Sequence, residues 1–400
     1  MQADITTLQW GESDLAGSVT YHRTTPPSVA IDLHGGTLSL LPWENAYLKD
    51  ARKTTQEDPA TTLRSAARAS ADWVGHLLLT PLRLLSDEDD AAPGKKLFSS
   101  EPLPLDDLKA VNLTLSGELG SLLSTAVTAN NLKFNGTLRD GQLALTGSSG
   151  DMNGGDGQIE LSVDADTAPP VFKLRSTFKN VRGLTGRDTY PRSGFVSVDS
   201  RGQSEAEIAA NVAGLVYLEL GAGPFDYANS TLLTANIATT VFQTLIPGID
   251  RTQSQLECGI TLGLLQDGKG LTPYGFAART NQANLLGHLK VDLRKETMEM
   301  SLDSRGRQGV GISVGSIFSN TIQIKGPLTN PGIVPDATGL AWRGWAAFMT
   351  GGLSVLGESL IKRVLASENP CTSIRELITR DLCPKNTLAA SSPMVCPQAP

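Results

Sequence analysis

The sequence predicts a mainly β chain, a meandering antiparallel sheet with a few peripheral helices. Three observations predict it. Apolar and polar residues alternate with a period of two over much of the chain, Gly- and Asp-bearing turn signals separate those runs, and helical patterns are few. Such alternation marks strands with one apolar and one wet face. Buried parallel strands would read as near-continuous apolar runs instead.

Residues 1–50 supply leading strands, for example Leu15 to Tyr21. Residues 51–96 read as a helical insertion and an acidic loop. Ala66, Ala67, Trp73, Val74, Leu77 and Leu78 recur at helical spacing, Pro81 interrupts them, and Asp87 to Asp90 precede Pro93-Gly94. Residues 97–336 read as the main sheet region. Val111, Leu113 and Leu115 alternate with Asn112 and Thr114; Ile159, Leu161 and Val163 alternate with Glu160 and Ser162. Further runs place Leu289, Val291 and Leu293 on one side of a strand, then Met298, Met300 and Leu302, then Ile322 and Ile324. Turn signals stand at Asp140-Gly141, Gly154 to Gly157, Asp267-Gly268 and Asp303 to Gly306. One helix over 228–246, stopped by Pro247-Gly248, interrupts the strands. Residues 337–383 read as C-terminal helices over 338–365 and 372–382, and 384–400 as a disordered tail.

Composition narrows the function. The 400 residues carry a net charge of -7, and 40% of them are hydrophobic, enough for a core. Basic residues are scattered, whereas a nucleic-acid binder needs a clustered cationic face, so no nucleic-acid partner is expected. Met1 runs straight into an alternating stretch with no basic segment followed by an apolar one, so no signal peptide is recognisable. The strand pattern begins in mid-course, as it would in the C-terminal part of a longer protein. The apolar stretch from Gly339 to Leu365 is uncharged only between Arg343 and Glu358. That is short of the roughly 20 residues a membrane-spanning helix needs. It reads as an amphipathic helix with Trp342, Trp345 and Phe348 at a lipid interface.

No pattern of catalytic quality stands out, and no enzyme, cofactor or metal site is expected. Gly311-Ile312-Ser313-Val314-Gly315 matches G-x-S-x-G, but that motif needs a helix after it and a histidine further on. Strand-like residues follow here, and no histidine lies downstream. His22, His34, His76 and His288 are dispersed, none at ligand spacing. Cys258, Cys371, Cys383 and Cys396 contain no C-x-x-C pair, and in an oxidising compartment four cysteines allow three pairings. A helix over 372–382 would hold its ends about 16 Å apart at 1.5 Å per residue. A disulfide spans at most about 7 Å between Cα atoms, which disfavours Cys371–Cys383. Cys258–Cys371 with Cys383–Cys396 is the preferred pairing, with free buried thiols as the alternative.

Three segments together resemble the AsmA family of Gram-negative envelope proteins. Leu97-Phe98-Ser99-Ser100-Glu101-Pro102-Leu103-Pro104-Leu105-Asp106-Asp107-Leu108 is similar to the family's "F-S-x-x-P-L-P-L-D-x-L". Leu256-Glu257-Cys258-Gly259-Ile260 before Asp267-Gly268 resembles its cysteine-bearing strand. Gly287 to Leu302 resembles a "G-x-x-x-x-D-L-x-x-E-x-x-D-L-x-L" hairpin, and Ile324 to Asp336 the "G-x-x-x-N-P-x-V-x-P-D" that follows it. Asn369-Pro370-Cys371 resembles the cysteine near the family's C-terminus. The match covers roughly residues 90–380. It lacks the family's N-terminal anchor and its basic-proline stretch, where Ser304 to Ser316 is glycine-rich.

The resemblance implies a long, curved antiparallel β-sheet, a groove or half-open taco, related to TamB-like and bridge-like lipid-transfer proteins. It implies a periplasmic location with inner-membrane anchorage through a segment outside this chain, and phospholipid as partner. The function implied is binding or transfer of phospholipids between inner and outer membrane, in support of outer-membrane homeostasis. The alternative is a structural or assembly factor for outer-membrane proteins. The residues expected to line the groove are Val111, Leu113, Leu115, Leu289, Val291, Leu293, Ile322 and Ile324.

Overall fold

A computed structural model of the chain describes residues 2–10, 13–39, 96–123, 128–182, 190–224, 255–307, 321–329, 331–334 and 367–382. Among them are eighteen strands, two α-helices and one 3-10 turn, so the chain is mainly β. The expected helices over 60–86, 228–246 and 338–365, and the tail, lie outside the described residues. The chain divides into two compact units. The first holds Met1–Ser86, Ser99–Asp188 and Ser197–Asn211; the second holds Asp87–Phe98, Thr189–Val196 and Val212–Pro400.

In the first unit the strands pair in chain order. They are β1 (Gln2–Trp10), β2 (Ser13–His22), β3 (Ser28–Ser39), β4 (Asn112–Leu123), β5 (Thr128–Arg139), β6 (Gln142–Met152), β7 (Gly155–Asp164) and β8 (Val171–Val181). Every pair is antiparallel except β3–β4, which is parallel. The expectation of a purely antiparallel sheet is corrected there. More than seventy residues lie between Ser39 and Asn112, enough for the crossover that a parallel pair requires. The Asp140-Gly141 turn stands where expected, whereas the next one bends at Asn153-Gly154, because Gly155 to Gly157 of the expected turn pair as the start of β7. Asp140 and Gly141 have φ of 50° and 79°, and Asn153 and Gly154 have 49° and 83°, as two-residue hairpin turns demand. Asp151 Oδ1 fastens the second turn by accepting the Gly154 N–H at 2.9 Å.

A small core closes one end of this sheet. Leu105 of the 3-10 turn Leu105–Lys109 packs with Leu161, Val163, Ala165 and Phe172, and Ile208 of α1 (Glu205–Asn211) packs against them. Ser204 Oγ accepts the Glu207 N–H at 3.2 Å, and Glu207 reaches back to accept the Gln203 N–H at 2.7 Å. This is a variant of the capping box, with Ser204 and Glu207 at its S-x-x-E spacing.

Strand β9 (Arg192–Arg201) has residues in both units, and the second unit contains β10 (Ala213–Leu220), β11 (Gly223–Pro224), β12 (Gln255–Gln266), β13 (Lys269–Leu271), β14 (Phe276–Thr280), β15 (Ala283–Asp292), β16 (Thr297–Gly306), β17 (Thr321–Pro327) and β18 (Gly332–Val334). Its pairings are all antiparallel, and β13 and β14 both pair with β12 and β15. Two expectations are corrected here. Asp303 to Gly306 do not turn; they extend β16 opposite Leu286 to Ala283. The ten-residue partner β15 gives these backbone groups a complete ladder, which outweighs the local turn preference. Leu293 is not in a strand. The β15–β16 hairpin turns between Asp292 and Thr297, so Leu293 leaves the sheet and donates its N–H to the Gly268 carbonyl at 2.8 Å.

The second unit's part of the sheet is apolar on both faces. Leu286 on β15 joins Ile260, Leu262, Tyr217 and Ala277, and α2 (Pro370–Leu382) lays Ile374 and Ile378 over them. Leu285 and Leu289, of opposite parity, join Met300, Leu302, Ile322 and Ile324 on the other side. No helix among the described residues is long and apolar enough to cross a membrane.

Candidate functional site: an apolar sheet face

The site is one face of the first unit's sheet. Period-two alternation puts every second side chain on that face, and the register aligns them into rows running across the strands. Val29, Leu113, Leu138, Leu143, Val163 and Phe172 form one row from β3 to β8. Val19, Ile31, Leu115, Gly136, Leu145, Leu161 and Leu174 form the next. Leu33, Gly117, Phe134, Gly147 and Ile159 form a third. Leu15, Gly35, Leu119, Leu132 and Ser149 form a fourth. Tyr21 continues the first row beyond Val29 onto β2, and none of the four rows contains a charged side chain.

The reverse face is built from the residues between. Asp32, Ser116, Asn135, Thr146, Glu160 and Arg175 stand in one cross-strand row. Ser116 donates to Asp32 Oδ1 at 2.7 Å, Lys133 pairs with Glu118 at 2.9 Å, and Arg175 with Asp199 at 2.8 Å. The sheet therefore separates a wet side from an apolar one.

Burial differs across the apolar side. Leu161, Val163 and Phe172 are buried where the 3-10 turn and α1 pack, and Leu119 and Leu138 are buried as well. Val29, Ile31, Leu33, Leu113, Leu115, Phe134, Leu143, Leu145, Ile159 and Leu174 stay partly exposed. Covering them would remove apolar surface from water at a gain of about 25 cal/mol per Å².

The structure divides the eight expected groove residues. Leu113 and Leu115 lie in the rows above, with half-buried Val111 one residue ahead of β4. Leu289 and Ile324 flank Met300 in the second unit, Ile322 stands opposite Leu302, and Val291 opposite Met298. Ile324 is 0% exposed, so it belongs to that unit's core. Leu293 sits in the hairpin turn. Trp342, Trp345, Phe348, Ser313, Cys383 and Cys396 lie outside the described residues. Sequence reasoning passed over Val29, Ile31, Leu33, Leu138, Leu143 and Leu145 as lining residues. Their alternation is visible, but their place beside Leu113 and Leu115 depends on strand pairing.

In the second unit Cys258 of β12 and Cys371 of α2 form a disulfide, with Cα atoms 6.4 Å apart. Asn369 Oδ1 accepts the Cys371 N–H at 3.0 Å and caps the helix. Further along the helix Arg375 pairs with Glu219, which also accepts the Tyr217 hydroxyl at 2.8 Å. Burial, reinforced by the Glu219 charge, pushes the Tyr217 phenol well above its ordinary range. No group of three or more His, Cys, Asp or Glu side chains among the described residues could hold a metal ion. No protein family, no characterised protein and no solved structure matches this chain.

Proposed function

We propose that the chain binds acyl chains of phospholipid on the apolar face of the first unit, as an AsmA-like periplasmic protein handling lipid between inner and outer membrane. One observation carries this reading. Four registered cross-strand rows without a charged side chain lie on a sheet whose reverse face is polar, and many of their apolar side chains, Ile31, Leu33, Leu113, Leu115 and Leu145 among them, remain partly exposed. An apolar sheet face needs a cover, and acyl tails supply one while head groups stay in water. The Cys258–Cys371 disulfide suits an oxidising compartment such as the periplasm. The sequence resemblance supports the same reading. The chain would act without chemistry, by letting tails slide across rows that offer no polar anchor.

The test is lipid extraction of the purified protein followed by mass spectrometry. Phospholipid is expected with the wild type and is lost in Leu115→Asp and Leu145→Asp, whereas Thr146→Asp on the wet face retains it. Protein that folds and carries no lipid would overturn the reading in favour of a structural or assembly role.

A further inference from the structure

We infer that the second unit carries a separate site for a free fatty carboxylate, in a hollow of about 480 Å³ at the β12–β13 turn and the turn after β15. The volume lies in the range of small-molecule sites. Its floor is aliphatic. Leu264 and Leu271 are direct cross-strand partners, and Leu215 lies on the other side of Leu264. Leu215 also packs against the core beneath α2, so the apolar floor continues from the helix-covered face into the open hollow.

The rim is charged, and cations outnumber carboxylates among the lining residues, with Lys269, Arg294 and Lys295 against Asp267 and Asp292. Lys290, directly opposite Leu271, adds a fourth cation to the same strand neighbourhood. Asp292 is engaged already, since its Oδ1 accepts the Lys295 N–H at 3.0 Å and it faces Lys269 across the ladder. Asp267 occupies a left-handed turn position with φ of 49°. An aliphatic floor with a net cationic rim fits one hydrocarbon chain ending in a single negative charge. Neither a neutral nor a cationic amphiphile of the same chain length satisfies both parts. This inference does not rest on the reading of the first unit.

The experiment is photo-cross-linking of the full chain with a diazirine-bearing dodecanoate, mapped by peptide mass spectrometry. Label is expected on the segments around Leu264–Leu271 and Asp292–Lys295. Dodecanoate should compete it away, and dodecyltrimethylammonium and dodecyl maltoside should not, each below its critical micelle concentration. Combined Lys269→Glu, Arg294→Glu and Lys295→Glu should lower that labelling about tenfold, as the sum of several solvent-screened charge contacts. Leu115→Asp in the first unit should leave it unchanged, which separates this site from the proposed lipid face. Label confined to other segments, or equal competition by the cationic amphiphile on wild-type protein, would overturn the inference.

Discussion

The ring of Phe134 occupies the space that a side chain at Gly117 would need. The two residues are direct cross-strand partners on β5 and β4. A Cβ at Gly117 would collide with Phe134 Cζ and lie 2.6 Å from the Leu33 carbonyl oxygen, a backbone atom that cannot rotate away. Phe276 covers Gly287 in the same way in the second unit. An aromatic ring laid over a cross-strand glycine restores the contact area that the glycine lacks. Gly117→Ala should therefore cost about 1–3 kcal/mol in urea unfolding, as overpacking does. Gly150→Ala, where nothing lies within 4 Å, should be close to neutral. Equal midpoints for the two variants would contradict this packing.

The uneven cover of the apolar face makes a stability prediction that needs no lipid. Leu161, 3% exposed, should lose about 2–5 kcal/mol on truncation to Ala. Leu33, partly exposed in the same sheet, should lose less than half as much, since it gives up less buried surface. Added phospholipid should widen the Leu33→Ala deficit and leave that of Leu161→Ala nearly constant. Chemical denaturation with and without lipid vesicles reads both.

The Cys258–Cys371 bridge joins residues 113 apart in sequence. Cross-links that close loops of this length stabilise by about 4–5 kcal/mol on the chain-entropy model, and native bridges typically by about 2–5. Cys258→Ser with Cys371→Ser should lower the unfolding midpoint accordingly and free α2 before the sheet melts. Hydrogen exchange on Ile374 and Ile378 would report this as early loss of protection. Unchanged exchange there would mean that packing alone holds the helix.

His288 is 4% exposed. Burial, with a contribution from the Lys290 charge, pushes its imidazole from 6.5 down to about 4, against the opposing hydrogen bond to the Thr272 backbone. The unfolded chain therefore takes up a proton below about pH 6.5 that the folded chain refuses until about pH 4. Stability from this residue is full above the upper value, falls as pH drops through the window, and levels off below it. Between about pH 7 and about pH 5 the loss should be about 2 kcal/mol. His288→Leu should remove that component, leaving only the carboxylate contribution in the pH profile.

Much of the architecture is legible in local pattern. The alternation of Leu113 and Leu115 with Thr114 predicts their strand and their shared face, because side chains in a strand alternate whatever the partner. Asp140-Gly141 and Asp267-Gly268 predict their turns, because those residues tolerate positive φ. The Ser204 and Glu207 spacing signals the start of α1, and reading it for a capping box would have located that helix. Asp303 to Gly306 mislead, because a turn-like composition yields to a strand when a full ladder waits opposite.

Local chemistry thus determined which residues alternate, where the hairpins bend and that a β-sheet with apolar and polar sides would form. Tertiary pairing decided the rest. The parallel joining of β3 to β4 puts Val29, Ile31 and Leu33 beside Leu113, Leu115 and Gly117, although more than seventy residues separate them. Packing of α2 chose which apolar face of the second unit's strands the helix would cover, a choice that β15 leaves open by presenting leucines on both sides. The physical reason is common to both. A strand's own sequence sets the direction of its side chains, whereas its neighbours are set by the free energy of burying those side chains against whatever the whole chain brings within reach.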